Sequence, residues 1–120
     1  MRSLSLLLSL LAGCAITPND VMREGERSEY RSTRAPQEVA RCIQRNASEI
    51  RLGILGLGSQ PAYIRDHTIP GSLEVLYGGG VTIAVAVVRP AASGSTFTIW
   101  RNPQPVSGEG TLEQQMARGC

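Results

Sequence analysis

Three cysteines carry the thiol chemistry available to this 120-residue chain: Cys14, Cys42 and Cys120. A thiolate can act as a nucleophile, and a pair of thiols can form a disulfide outside the cytoplasm. No two of the cysteines stand at C-x-x-C spacing, so the sequence does not indicate a redox-exchange centre. The residues around each cysteine must therefore indicate what it does.

Cys14 follows a short apolar segment at the start of the chain. Arg2 precedes an apolar run over residues 4–12, which Ser5 and Ser9 interrupt. As a helix this run would reach about 14 Å, about half of the hydrocarbon thickness of a bilayer, so it is too short to span a membrane stably. A charged residue followed by such a run is typical of a secretion signal, which we prefer to a buried N-terminal helix.

The segment closes with Leu11, Ala12, Gly13 and Cys14, and this tetrapeptide resembles the lipobox of bacterial lipoprotein precursors. The resemblance implies a signal peptide over residues 1–13, cleavage between Gly13 and Cys14, and a diacylglyceryl group on the sulfur of Cys14. The new amine would then be acylated, for example with palmitate, and two or three acyl chains anchor a protein stably. An aspartate after the cysteine would favour the inner membrane, so Ala15 implies the outer membrane, facing the periplasm.

Cys42 and Cys120 remain as partners for each other if Cys14 carries lipid. The implied export sends both to an oxidising compartment, and both fall on apolar faces of expected helices. We therefore predict a structural disulfide between Cys42 and Cys120 that closes a loop of about 79 residues. Two buried free thiols are the alternative.

His67 is the single histidine and therefore the first candidate for a catalytic or metal-binding residue. Its neighbour Asp66 would point to the opposite side of an extended chain, so adjacency does not make the two a base and its orienting carboxylate. We expect His67 to be a solvated loop residue. With one histidine, a zinc site would need carboxylates, and none are grouped at ligand spacing.

The glycine spacing and the charge balance argue against dinucleotide binding and nucleic-acid binding. Gly53, Gly56 and Gly58 form G-x-x-G-x-G, which differs from the dinucleotide-binding fingerprint, and no lysine follows; we predict turn glycines. The formal net charge of +2 is too small to indicate a nucleic-acid partner, and the arginines alternate with glutamates. We expect no cofactor and no metal.

The apolar pattern predicts one small α+β domain over residues 35–120. Residues 36–47 have the spacing of a helix, with Val39, Cys42 and Ile43 on one face, and Thr111 can cap a second helix over 111–118. Between them, alternation predicts an antiparallel meander of three or four strands. The strand segments are a weak one at 50–54, a short one at 62–65, and clearer ones at 73–77, 81–88 and 97–100.

Residues 14–34 are expected to be a flexible tether between the lipid and the domain. Their apolar residues are few and lack regular spacing, so the segment would bury too little surface to offset the entropy lost on ordering. A solvated helix is the alternative, which Gly25 disfavours.

These features predict an envelope lipoprotein, not an enzyme, whose periplasmic domain binds another protein or a component of the cell wall. One alternative is a small periplasmic inhibitor of a wall-degrading enzyme. A less favoured alternative is a small enzyme or ligand-binding protein that uses His67, Asp66 and Tyr63.

Replacement of Cys14 by serine should abolish lipid attachment and membrane retention, because the thiolate is the nucleophile that takes the lipid. Incorporation of radioactive fatty acid, followed by fractionation of the cells, measures both effects. An Ala15→Ser variant introduces the same side chain one position later and should still be lipidated. Full processing and membrane association of the Cys14→Ser protein would contradict the lipoprotein hypothesis.

Overall fold

A computed structural model describes residues 16–53, 56 and 58–120, and its architecture is α+β. The elements in chain order are α1 (Pro18–Glu24), β1 (Glu26–Ser32), α2 (Pro36–Glu49), β2 (Ala62–Asp66), β3 (Leu73–Tyr77), β4 (Ala84–Ala91), β5 (Gly94–Arg101) and α3 (Leu112–Ala117). The strands form one antiparallel sheet in the order β1-β5-β4-β3-β2. The predicted fold class is confirmed, with five strands instead of three or four. The lipobox and Cys14 lie outside the described residues.

The inner face of the sheet, defined here as the face covered by α2 and α3, holds the main core. Because β1 and β2 are the two edge strands and α2 connects them, this helix has to cross the sheet. Its buried side chains are Val39, Ala40, Cys42, Ile43 and Ala47, including the face predicted from the sequence. They pack against alternate residues of the strands, where the small side chains of Ala84 and Ala86 let the helix approach closely.

The prediction of a flexible tether is wrong for residues 18–32, which form α1 and β1. Thr17 caps α1: its Oγ1 accepts a hydrogen bond from Asp20 N, and its backbone N donates to Asp20 Oδ2 at 3.0 Å. Val21 is fully buried against Val85 and Val87 on the outer face of the sheet, the face opposite α2. The stability of the segment therefore comes from residues far away in the sequence, which its own composition does not reveal.

Strand β1 pairs with β5 along its whole length, from Glu26 opposite Arg101 to Ser32 opposite Ser95. Its apolar anchor is Tyr30, whose ring stacks on Phe97 with 5.0 Å between the centroids. The charged residues that alternate along β1 suit an exposed sheet edge, because charges discourage pairing with a further strand. The alternation of arginine and glutamate thus belongs to an edge strand.

Two strand predictions need correction. Within the described part of 50–54, Leu52 forms isolated bridges with Gly58 and Val106 and no strand. The chain turns here, and Gly53 and Gly56 have φ angles of 83° and 62°, which confirms them as turn glycines. The strand predicted at 81–88 begins instead at Ala84, and the strands at 62–66, 73–77 and 94–101 agree with the predicted segments within a few residues.

The predicted disulfide between Cys42 and Cys120 is present, with 5.7 Å between the two Cα atoms. It joins α2 to the end of the chain beyond α3, whose predicted cap Thr111 accepts a hydrogen bond from Gln114 N. Asn46 reinforces this junction by donating to the carbonyl oxygens of Met116 and Arg118 at 2.9 and 2.8 Å. The bridge therefore fastens the last helix to the helix that spans the sheet.

Removal of the bridge by the double change Cys42→Ala and Cys120→Ala should lower the free energy of unfolding. For a sequence separation of 78 residues, the loss of chain entropy predicts about 4.5 kcal/mol. Urea unfolding followed by far-ultraviolet circular dichroism measures the change. Dithiothreitol should destabilise the wild-type protein and leave the double variant unaffected; a wild-type midpoint that does not respond to the reductant would show that the bridge contributes nothing.

Candidate binding site on the outer face

Among the described residues, α1 covers the outer face of the sheet at one end of the strands only. Val21 and Met22 of α1 pack there with Val85, Val87 and Trp100. Toward the other end of the strands, alternation places polar side chains on the same face. We call five of them the polar strip, one from each strand or its immediate end: Arg31, Thr96, Arg89, Ser72 and His67.

The strand register sets the polar strip in a line. Thr96 lies opposite Arg31 on one side and opposite Arg89 on the other. Ser72 continues the line one residue beyond the Leu73–Val88 pair, and His67 N donates to Ser72 O at 3.0 Å. With neighbouring strands about 4.8 Å apart, the strip extends across the sheet for about 19 Å.

Arg89 is held in place without a neutralising partner. Its Nη2 donates to Thr98 Oγ1 at 3.1 Å, and Thr98 is itself fully buried. Within the described residues, neither Arg89 nor Arg31 takes part in a salt bridge. Arg89 Nε is also buried without a hydrogen-bond acceptor there. The middle of the polar strip therefore carries positive charge on a side chain whose position is already restricted.

His67 ends the strip in a charged cluster with Glu74 and Arg65. Glu74 Oε1 lies 2.5 Å from His67 Nδ1, and Arg65 Nε donates to Glu74 Oε2 at 2.6 Å. The Glu74 side chain is 7% exposed and that of His67 is 18% exposed. His67 lies in the connection after β2, as expected, but the expectation that it is solvated is wrong: cross-strand pairing brings it to a carboxylate seven residues away.

Burial on its own would raise the pKa of Glu74, but the hydrogen bonds from His67 and Arg65 outweigh it and hold the pKa below its usual value. The carboxylate is consequently ionised over the physiological pH range. An ionised Glu74 orients the imidazole of His67, since it is the group that faces Nδ1.

The other residues of the sequence hypothesis do not join His67. Asp66 is exposed, belongs to the opposite face by alternation, and makes no contact with His67 that would orient the ring. Tyr63 is 56% exposed and lies four residues along β2, about 13 Å away. The three residues thus do not form one catalytic cluster, although Asp66 and His67 both line the groove between α2 and the β2–β3 connection.

Two concavities adjoin the polar strip. A cleft of about 260 Å³ is bordered by Glu29, Arg31, Arg89, Thr96 and Thr98. A larger groove of about 680 Å³ separates the start of α2 from the β2–β3 connection, and its lining includes Asp66 and His67. The cleft combines hydroxyl groups with arginines that form no salt bridge in the described part of the chain, which makes it the better defined of the two as a binding site.

No group of three His, Cys, Asp or Glu side chains within the described residues lies close enough to hold a metal ion. None of the described helices is long and apolar enough to cross a membrane. No protein-family model, curated protein or solved structure matches the chain.

Sequence reasoning missed Glu74, Arg65, Arg31 and Arg89. A signal for the first two was present, because pairing the strands predicted at 62–65 and 73–77 sets Arg65 opposite Glu74. Arg31 could not be found, since its strand was not predicted. Arg89 follows the predicted strand by one residue, and nothing local marks it as unpaired.

Replacement of Glu74 by glutamine should lower the free energy of unfolding at neutral pH by about 1.5–3 kcal/mol, the usual range for hydrogen bonds to a charged group. Because folding lowers the pKa of Glu74, its contribution is present above the usual value of 4.5 and is lost as the pH falls through the lowered value. Urea unfolding is measured between pH 7 and about pH 3. The difference in free energy of unfolding between the wild-type protein and the Glu74→Gln variant, the wild-type advantage, should shrink below about pH 4.5. Glu109→Gln, a change at an exposed position, should show little effect; an advantage independent of pH would contradict the assignment.

Proposed function

We propose that the protein is a lipid-anchored lipoprotein of the bacterial cell envelope, and that its folded domain binds another envelope component without catalysing a reaction. The lipobox-like residues Leu11 to Cys14 support the anchor. Ala15 supports placement at the outer membrane, facing the periplasm. The disulfide between Cys42 and Cys120 supports export, because such bridges persist in oxidising compartments.

The single observation that carries the binding role is the polar strip. The strip lies on a regular sheet, and Arg89 is oriented by Thr98 while His67 is oriented by Glu74. Side chains that are ordered before a partner arrives lose less entropy on binding, which favours affinity. A partner that docks on the outer face beside α1 would meet these groups already in place.

The arrangement around His67 favours positioning over catalysis. Glu74 and His67 have the geometry of a carboxylate that orients a histidine, and Ser72 is the cross-strand neighbour of His67. Ser72 Oγ, however, is buried and makes no hydrogen bond to the imidazole. A serine nucleophile needs both access to substrate and a base within hydrogen-bonding distance, so these residues do not form a nucleophilic relay as they stand.

The groove beside His67 and Asp66 keeps a second candidate function open, the binding or conversion of a small ligand. Its volume of about 680 Å³ lies within the range of small-molecule sites. In that case His67 would serve as an acid, a base or a hydrogen-bonding group at the groove's lining. This function would require His67 but not the arginines of the polar strip.

Photo-cross-linking in living cells tests the proposed binding role. A photoreactive amino acid in place of Tyr63 or Glu29, both exposed on the outer face, should give one dominant covalent product. The same amino acid in place of Arg41, an exposed residue of α2, is the control and should give none. Mass spectrometry then identifies the partner, and loss of the product in the Cys14→Ser background would tie the encounter to the membrane anchor.

Two outcomes would overturn this function. Equal cross-linking from the outer face and from α2 would show that no specific surface is used. In a second arm, His67→Gln keeps a hydrogen-bond donor for Glu74 but cannot act as a general base. If His67→Gln abolishes the cellular effect of the protein while folding and cross-linking persist, the enzymatic alternative replaces the binding module.

A further inference from the structure

The cleft at one end of the polar strip has two arginines on either side of a threonine. Thr96 is the register partner of both Arg31 and Arg89, so the two arginine Cα atoms are two strand spacings apart, about 10 Å. All three side chains are on the outer face. Arg89 reaches toward Thr98, and both arginines line the same cleft as Thr96, which itself makes no side-chain hydrogen bond within the described residues.

The lining of the cleft carries an excess of positive charge. Its lining contains Arg31, Arg89 and one carboxylate, that of Glu29, which gives a formal charge of +1. Glu29 accepts a hydrogen bond from Arg27 and does not neutralise either lining arginine. Arg89 is fixed from one side by Thr98 and retains unused N–H groups.

We infer that this cleft binds a single carboxylate of an acidic peptide segment on the partner, an assignment that rests on the binding role proposed above. Guanidinium forks match the planar carboxylate group, and the Thr96 hydroxyl can donate a further hydrogen bond to it. The negative charge of Glu29 at the wall of the cleft would repel a phosphate dianion more strongly than a single carboxylate.

The size of the cleft agrees with this ligand. About 260 Å³ has room for one acidic side chain or a chain terminus, and not for a folded element. The remaining contacts of a peptide partner would lie along the strip toward His67. The carboxylate therefore acts as the charged anchor of a longer interface.

Nuclear magnetic resonance titration of the full chain in nonionic detergent micelles tests the assignment. The probe is a capped tripeptide of glycine, glutamate and glycine, and its glutamine counterpart is the control ligand. The glutamate peptide should shift the backbone amide of Thr96 and bind at least about tenfold more tightly than the glutamine peptide, the loss expected for one charge-assisted contact. Inorganic phosphate is the third ligand and should bind more weakly than the glutamate peptide.

Matched variants locate the effect. Arg31→Gln and Arg89→Gln should each weaken binding of the glutamate peptide by about tenfold, whereas Glu29→Gln should strengthen it by removing a like charge. Arg41→Gln makes the same charge change on α2 and should leave binding unchanged. Arg31 lies on an exposed edge strand, so its variant decides the question if Arg89→Gln impairs folding.

The inference is overturned by equal affinity for the glutamate and glutamine peptides, by tighter binding of phosphate, or by an Arg41→Gln effect as large as that of Arg31→Gln. Its failure differs from failure of the proposed function. Specific cross-linking in cells without carboxylate binding would leave the binding module standing and remove the carboxylate anchor. Carboxylate binding without a cross-linked partner would leave the carboxylate site standing and remove the proposed binding of an envelope partner.

Discussion

The pairing of β1 with β5 is the interaction on which the rest of the structure depends. Seven residue pairs join a segment near the start of the chain to its last strand. This pairing gives the sheet its fifth strand, places α1 over Val85 and Val87, and brings Arg31 into line with Arg89. Gly25 makes the connection possible, since a Cβ there would lie 2.7 Å from the carbonyl oxygen of Arg101. Without β1 there would be no cleft on the outer face.

The two faces of the sheet differ because their coverings differ. Helix α2 has to cross the inner face to connect the two edge strands, and the apolar residues of that face meet it in one continuous core. The disulfide and Asn46 add α3 to the same layer. Helix α1 has 7 residues and covers the outer face over one end of the strands. Polar residues can therefore occupy the remaining part of that face while staying anchored on a rigid scaffold, a combination suited to recognition.

Electrostatics distinguishes the two ends of the polar strip. At one end Glu74 is surrounded by His67 and Arg65, so its charge is compensated and the cluster stiffens the β2–β3 edge. At the other end Arg31 and Arg89 have no carboxylate partner within the described residues, and a ligand can supply one. The cluster thus fits a positioning role, whereas the cleft fits a binding role. The difference between the two ends favours the proposed binding role over the enzymatic alternative.

The sequence by itself determined the elements whose signal is local. Three such signals depend on neighbours within a few residues: the apolar face of Val39, Cys42 and Ile43, the cap at Thr111, and the alternation in β3 to β5. The disulfide was predicted because the implied compartment is oxidising and because Cys14 was assigned to the lipid. Tertiary structure decided what depends on distant partners: β1 has a single core anchor in Tyr30 and forms because β5 is beside it. In the same way, strand register brings His67 to Glu74 and leaves Arg89 without a carboxylate partner among the described residues. Register is set by the whole sheet, and a shift of one residue would move each of these side chains to the other face.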